Sequence, residues 1–103
     1  MSRFADVTAW AEARNLIAGS SAQAQFCKLI EEVGELAEAI SKGRPADVPD
    51  AIGDTLVVLT ILAAQHGLTI EECLETAWRQ IKDRKGRLVN GVFLKEADLD
   101  FDG

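Results

Sequence analysis

The segment Leu56–Ala64, which is apolar apart from Thr60, places the strongest constraint on how this chain folds. Asp47 can cap a helix ahead of it, Pro49 suits the first helical turn, and Gly67 closes the helix. The apolar side chains of this predicted third helix cover its whole circumference, so the helix has to be buried on every side. Because a chain of 103 residues builds one core of limited size, we expect a partner subunit to provide part of that cover.

Two helices are predicted ahead of this segment. Apolar residues at helical spacing run from Phe4 to Ile17, and Gly19 then offers a stop. Ser20 and Gln23 form a capping box, so a second helix is expected to start there and to end near residue 41. The residues predicted to face the core on the second helix are Phe26, Leu29, Ile30, Val33, Leu36, Ala37 and Ile40. They fit within a sector of roughly 120°, which is typical of a helix packed on a core.

A fourth helix and a hairpin are predicted in the last third of the chain. Thr69 and Glu72 form another capping box, and an apolar stripe follows that ends at Ile81. Beyond this helix, Asn90-Gly91 is the favoured two-residue turn of a β-hairpin. A lone hairpin is marginally stable in water, so we expect it to pack on the helices or on a neighbouring chain.

Composition and charge favour a helical domain and restrict its partners. We predict an all-α four-helix bundle with a short C-terminal β-hairpin over residues 1–95, followed by an acidic flexible tail over residues 96–103. The net charge of −6 argues against binding to nucleic-acid backbones, which attract basic surfaces. The sequence contains neither a secretory signal nor an apolar stretch long enough for a bilayer, so we expect a cytoplasmic protein that does not bind membranes.

Four carboxylates crowd the second predicted helix, at Glu31, Glu32, Glu35 and Glu38. Like charges three or four residues apart on a helix repel each other, at a cost of roughly a few tenths of a kcal/mol per pair. A divalent cation would offset that repulsion, whereas a solvated glutamate-rich surface is the simpler interpretation. The position of Glu32 at the edge of the apolar stripe favours the cation.

Two aspartates at the start of the third helix indicate the same chemistry. Asp50 and Asp54 lie four residues apart and therefore share a helix face. Asp50 could interact with the helix dipole, but Asp54 lies too far into the helix, and aspartate is rarely buried unless it is paired or coordinated. The chain has one histidine and no closely spaced pair of cysteines. A metal site would therefore have oxygen ligands, which suit Mg²⁺ or Mn²⁺ better than zinc.

The sequence from Lys28 to Ala39, followed by Ile52-Gly53-Asp54, resembles the MazG-like family of all-α nucleoside triphosphate pyrophosphohydrolases. That family carries EExxE on one helix and ExxD on the next. The resemblance covers about residues 20 to 94. It implies a homodimeric or homotetrameric helical bundle that binds Mg²⁺, or Mn²⁺ in its place, and splits a nucleoside triphosphate into a monophosphate and pyrophosphate.

Transferred residue by residue, the resemblance gives Glu32, Glu35 and Asp54 as metal ligands. Glu31 matches the remaining glutamate of EExxE, as a ligand or as the base that activates water, and we take it as the catalytic base. The glutamate of ExxD falls on Ala51, which cannot coordinate a metal. Asp50 could take its place as a fourth ligand, because residues four apart share a helix face.

Other residues could bind the substrate. The predicted phosphate-binding cations are Lys28, Lys82, Arg84 and Lys85. The last three also fit an ordinary basic helix C-terminus. Trp10 and Trp78 could stack on a base, but both lie on apolar stripes, so we expect them in the core. Gln23 and Gln25 could read the edge of a base.

Two non-enzymatic interpretations stay open beside the predicted pyrophosphohydrolase. In the first, Ala51 has weakened the site and leaves a helical oligomer that binds nucleotides or partner proteins without turnover. In the second, the acidic helices form a protein-interaction module. That second interpretation explains the charge but does not explain Asp54 at the start of an apolar helix.

Overall fold

The computed structural model describes residues 2–99 and is mainly helical. Its elements are α1 (Arg3–Ala13), α2 (Ala22–Ser41), α3 (Val48–Gln65), α4 (Ile70–Ile81), β1 (Gly86–Val89), β2 (Val92–Lys95) and α5 (Glu96–Leu99), with a 3-10 turn at Pro45–Asp47. The predicted all-α fold, with four substantial helices and a C-terminal hairpin, is confirmed. Part of the predicted flexible tail, residues 100–103, lies outside the described residues, and the part before it contains the single turn of α5.

The chain divides into two compact units, one ending at Glu72 and the other starting at Cys73. In the first unit, α3 packs against both α1 and α2, and the 3-10 turn packs against α2 and α3. The second unit contains most of α4, the hairpin and α5.

The start of α2 differs from the prediction by one residue. Ser21 is the N-cap, since its backbone is extended and its Oγ accepts a hydrogen bond from the backbone N–H of Ala24 at 3.0 Å. The predicted cap, Ser20, instead accepts a hydrogen bond from Nε2 of Gln25 at 3.0 Å. Two adjacent serines make the same local pattern, and the side-chain contact with Gln25 decides between them.

Helix α1 is shorter than its apolar pattern indicates. It begins after Ser2, whose Oγ accepts a hydrogen bond from Ala5, and it ends at Ala13. Asn15 has a φ of 58°, a left-handed conformation that asparagine tolerates better than most residues and that ends a helix. The prediction that helical structure continues to Ile17 is therefore wrong.

The packed face of α2 lies beside the predicted one. Glu32 and Ala39 are buried, and Leu29 and Leu36 are half-buried at intervening positions three or four residues apart. On α3 the buried positions include Ala51, Val58 and Ile61, and Asp54 is half-buried between the first two. Glu32 therefore lies within the packed face of α2 rather than at its edge.

Much of the predicted apolar stripe of α2 is exposed. Its members Phe26, Ile30, Val33 and Ile40 are between 45% and 65% exposed. On α3, Ile52 and Leu56 are exposed too, so this helix is not buried on every side within one chain. A wide apolar sector on a helix identifies the candidate residues for burial, but the neighbouring element covers only part of that sector.

The apolar pattern of the sequence also gave the wrong location for the two tryptophans. Trp10 is 46% exposed and Trp78 is 52% exposed, so the expectation that both lie in the core is wrong. Each lies on an apolar stripe, but the chain does not cover that part of either helix.

The hairpin and the cap of α4 are as predicted. Oγ1 of Thr69 accepts a hydrogen bond from the backbone N–H of Glu72 at 3.1 Å. In the second unit, β1 pairs antiparallel with β2, and Val89 lies opposite Val92. Asn90 and Gly91 both have positive φ, at 50° and 82°, as a type I′ turn requires.

Among the described helices, none alone is both long and apolar enough to cross a membrane, although Pro45–Gln65 and Ile70–Ile81 satisfy the same criteria of length and composition as a bent pair.

Candidate metal centre

Three carboxylates meet where α2 packs against α3. Glu32 and Glu35 lie three residues apart on one face of α2, and Asp54 projects from the second turn of α3. One oxygen from each of the three lies within 4.8 Å of the others. We refer to Glu32, Glu35 and Asp54 as the acidic triad. The structure therefore brings together three of the four predicted metal ligands.

Glu32 is the most confined member of the acidic triad. The residue is 6% exposed, and its Oε2 has no hydrogen-bond partner among the described residues. Its Oε1 lies 3.3 Å from Nζ of Lys28, one turn earlier on α2. A buried charged oxygen without a partner is costly, and an ion bound by the triad would satisfy it.

The triad accumulates negative charge that the chain only partly compensates. The negative charge of the nearby Glu32 raises the pKa of Glu35. Burial raises the pKa of Asp54, followed by the charges of Asp50 and Glu32, while Lys28 opposes the shift. Both shifts mean that the ionised forms are disfavoured here. A cation would remove that penalty.

The donor set fits a hard divalent cation. The triad offers carboxylate oxygens, which Mg²⁺ and Mn²⁺ prefer, and a partly exposed site leaves room for the water and phosphate oxygens that Mg²⁺ commonly keeps. Glu35 is exposed and Asp54 half-buried, so a substrate could reach an ion held between them. Glu32, in contrast, lies within the interface between α2 and α3 and would bind the ion from its buried side.

The predicted catalytic base lies beside the triad and outside it. Oε2 of Glu31 is 3.3 Å from Nζ of Lys28, and the Glu31 side chain is exposed. Lys28, predicted to bind phosphate, is thus shared between Glu31 and Glu32, and hydrogen bonds to these two acids raise its pKa, with Glu31 contributing most. The structure places both residues at the site.

Asp50, the predicted fourth ligand, is not a member of the triad. It lines a cavity of about 240 Å³ together with Glu35, Glu38, Ala39, Arg44, Asp47 and Ala51. The negative charge of Asp50 nevertheless acts on the triad, since it contributes to the raised pKa of Asp54. Its role as a ligand stays a prediction.

Arg44 is a cation that the sequence analysis did not select. It lines the same cavity as Glu35, and its nearest acidic contact, Oε1 of Glu38, is 3.8 Å away. The same oxygen of Glu38 makes a shorter ion pair with Lys42, at 2.7 Å, which lowers the pKa of Glu38. Arg44 follows a helix end with no motif around it, so only its position in the fold identifies it.

The other predicted phosphate-binding residues, Lys82, Arg84 and Lys85, belong to the second unit. They follow the last turn of α4 and precede β1. All three side chains are exposed, and their part in phosphate binding stays a prediction.

Comparison with known proteins gives one family and one relative. The model of the MazG nucleotide pyrophosphohydrolase domain matches residues 21–89, a segment that includes the whole acidic triad. An uncharacterised 18.2 kDa protein from the rep-hol intergenic region of Haemophilus phage HP1 (strain HP1c1) is 48% identical over 61 residues. That match covers 59% of this chain and 37% of the phage protein. No solved structure matches the chain significantly.

Proposed function

Because the chain belongs to the MazG nucleotide pyrophosphohydrolase domain family, we propose that it hydrolyses nucleoside triphosphates to nucleoside monophosphates and pyrophosphate with the help of Mg²⁺. The observation that supports this most strongly is the acidic triad, in which one oxygen each of Glu32, Glu35 and Asp54 lies within 4.8 Å of the others, and Glu32 also has a buried oxygen without a hydrogen-bond partner. Mn²⁺ could replace Mg²⁺ at oxygen ligands.

Glu32, Glu35 and Asp54 would hold the ion. When bound, a divalent cation supplies Lewis acidity toward phosphate oxygens and neutralises the charge that develops on the departing pyrophosphate. Without it, the net charge of −6 and the crowded carboxylates would repel a triphosphate. The acidic triad therefore binds its anionic substrate only as part of a charge-balanced complex.

Glu31 would act as the general base. Its exposed carboxylate accepts a proton from a water molecule whose oxygen forms a bond to the α-phosphorus. The bond from that phosphorus to the bridging oxygen of the β-phosphate then breaks, and pyrophosphate leaves with the electron pair. General base catalysis contributes about 10²- to 10⁴-fold to rates, so a Glu31→Gln variant should lose activity on that scale.

Two cations of the first unit would contact the phosphates. Lys28 lies within 3.3 Å of both Glu31 and Glu32, and it can turn from Glu32 to phosphate oxygens when an ion compensates the charge of Glu32. Arg44 shares a cavity with Glu35, and guanidinium groups bind phosphate oxygens through paired hydrogen bonds. Lys82, Arg84 and Lys85 are further candidates.

We also propose that the working protein is a homodimer or homotetramer. The exposed apolar side chains on α2, together with Ile52 and Leu56 on α3, are residues of the kind that line interaction surfaces when they cluster. A second copy would cover surface that the single chain leaves exposed.

The test is product analysis with the purified chain. Common ribonucleoside and deoxyribonucleoside triphosphates are incubated with Mg²⁺ or with EDTA, and pyrophosphate and monophosphate are quantified. We expect equimolar release that EDTA abolishes. Glu35→Gln should lower turnover more than about 100-fold, because even outer-shell partners of a metal ion cost about 10- to 100-fold.

Glu12→Gln provides the matched control, since Glu12 is an exposed glutamate on α1 outside the triad, and it should keep wild-type turnover. Release that persists in EDTA, or full activity of Glu35→Gln, would contradict the proposal. If no triphosphate is hydrolysed while Mg²⁺ still raises the melting temperature, the chain is a nucleotide-binding or interaction module instead. The departure at Ala51 favours this second candidate.

A further inference from the structure

Trp10 is an unusual residue to find beside an acidic site. It lies on α1, outside the segment that the family model matches, and almost half of its surface is exposed. The guanidinium carbon of Arg14 lies 4.5 Å from the centroid of the indole, and Nη1 of Arg14 donates a hydrogen bond to the backbone oxygen of Trp10 at 3.1 Å. These contacts hold the ring in place without burying it.

Two cavities of the first unit meet at Trp10 and Val57. One, of about 420 Å³, is lined by Asp6, Val7, Trp10, Asp54 and Val57. The other, of about 310 Å³, is lined by Trp10, Leu16, Gln25, Lys28, Val57, Val58 and Ile61. Both volumes fall in the range of small-molecule pockets, roughly 300 to 1,000 Å³. Both are largely apolar in their lining.

Each of these cavities contains a residue of the metal centre. The first includes Asp54 of the acidic triad, and the second includes Lys28, which pairs with Glu32 at 3.3 Å. A ligand with its phosphates at the triad would therefore have its remaining part next to Trp10. In contrast, the cavity lined by Glu35 and Arg44 is polar and mostly acidic, so it could take the anionic end of the same ligand only together with a divalent cation.

Gln25 adds a polar group to an otherwise apolar wall. Its Nε2 donates a hydrogen bond to Oγ of Ser20 at 3.0 Å, which fixes the amide plane. The amide oxygen can then accept a hydrogen bond from an N–H of a ligand. A flat aromatic ligand with polar edges matches an indole, aliphatic side chains and one oriented amide better than an aliphatic ligand does.

We propose that the surface formed by Trp10, Val57 and Gln25 is the nucleobase subsite, and that Trp10 stacks on the base while the phosphates bind at the divalent cation that the acidic triad would hold. This inference rests on the proposed function, since it assigns the base of the same substrate. Stacking accepts any base, so Trp10 sets affinity, whereas the Gln25 amide discriminates between bases through their edges.

Inhibition by the two products tests the subsite. A nucleoside monophosphate carries the base, and pyrophosphate with Mg²⁺ does not. Trp10→Ala should raise the inhibition constant of the monophosphate by about 5- to 150-fold, the range for loss of one stacked base, and should leave that of pyrophosphate unchanged. Trp10→Phe should restore most of the monophosphate affinity. Equal effects on both inhibitors, or no effect on either, would overturn the proposal.

A binding measurement separates this inference from the proposed function. The chain has two tryptophans, so in a Trp78→Phe variant the fluorescence reports Trp10 alone. Nucleoside triphosphate should quench it and Mg²⁺-pyrophosphate should not, whether or not turnover occurs. Quenching without hydrolysis would refute the enzymatic proposal and keep the subsite, whereas hydrolysis without base-dependent quenching would refute the subsite and keep the enzyme.

Discussion

Glu32 is an acid placed where helices usually carry apolar residues. It lies between the half-buried Leu29 and Leu36 on the packed face of α2, and one of its oxygens has no partner. Replacing it with an apolar residue of similar size would remove a buried charge and improve packing. Its presence therefore indicates a function that outweighs stability.

The burial and crowding of negative charges at the triad also predict how Asp54→Asn affects stability. Burial, followed by the charges of Asp50 and Glu32, raises the pKa of Asp54 above its ordinary value of 3.8, so the folded state binds this proton more tightly than the unfolded state. The resulting stability is fully present below pH 3.8 and is lost as the pH rises through the folded pKa. An uncharged amide avoids that loss, so Asp54→Asn should melt at a higher temperature than wild type at neutral pH in EDTA.

Melting curves recorded in EDTA across this pH range check the prediction. The difference between the two proteins should shrink as the pH falls below 3.8, where the wild-type carboxyl group becomes protonated in both the folded and the unfolded state. Saturating Mg²⁺ at neutral pH should raise the wild-type melting temperature and not that of Asp54→Asn. A variant that melts below wild type at neutral pH in EDTA would show that charge crowding does not destabilise the site.

At the scale of elements, the metal centre depends on how α3 is rotated against α2. Asp54 faces Glu32 and Glu35, whereas Asp50 lines the neighbouring cavity with Ala51. Position 51 is buried and would bring a carboxylate close to Glu35 if it were glutamate. The alanine there leaves the centre one carboxylate short of the ExxD pattern, and Asp50 is the nearest replacement on the same helix.

Asp50→Asn should therefore weaken metal binding without abolishing it. We expect the Mg²⁺ concentration for half-maximal turnover to rise by about 10-fold, the lower end for an outer-shell partner. Adding Ala51→Glu to this variant should restore the wild-type value, because it supplies the missing carboxylate. Magnesium titrations of turnover measure both effects, and a wild-type Mg²⁺ dependence of Asp50→Asn would assign Asp50 no role.

The sequence predicted the helices and strands more accurately than it predicted which face of each helix is buried. Caps and turns such as Thr69 and Asn90-Gly91 are local signals, and the structure confirms them. Which side of α2 is covered depends on α3, a long-range property, so Ile30 was assigned to the core and is exposed. Helical spacing and charge identified the crowded acids of α2 and α3, and the resemblance to the MazG-like family selected the three that form the triad. The positions of Arg44 and Trp10 could not be predicted from the sequence, because only folding brings Arg44 near Glu35 and Trp10 near Asp54.

For the whole molecule, the exposed apolar stripe on α2 is the main feature that the single chain leaves unexplained. Phe26, Ile30, Val33 and Ile40 recur at helical spacing, and each is at least 45% exposed. Such a stripe fits helix-to-helix association, in which side chains three and four residues apart interlock with those of a second copy. The proposed homo-oligomer would use this stripe.

Ile30→Asp should weaken the oligomer by placing a charge in that stripe. We expect the dissociation constant to rise by about 30-fold or more, which corresponds to the loss of an interface hot spot. Molar mass from light scattering over a range of concentrations measures this, with Gln23→Asp on the exposed side of the same helix as control. A monomeric wild-type protein, or an unchanged mass for Ile30→Asp, would contradict the interface.

The central claim, that Glu32, Glu35 and Asp54 hold a divalent cation, is tested most directly by Mn²⁺ binding followed by electron paramagnetic resonance. The wild-type chain should bind Mn²⁺ and release it to excess Mg²⁺. Glu35→Gln and Asp54→Asn should each weaken binding by about 100-fold or more, and Glu12→Gln should bind like wild type. Wild-type affinity in both triad variants would contradict the account.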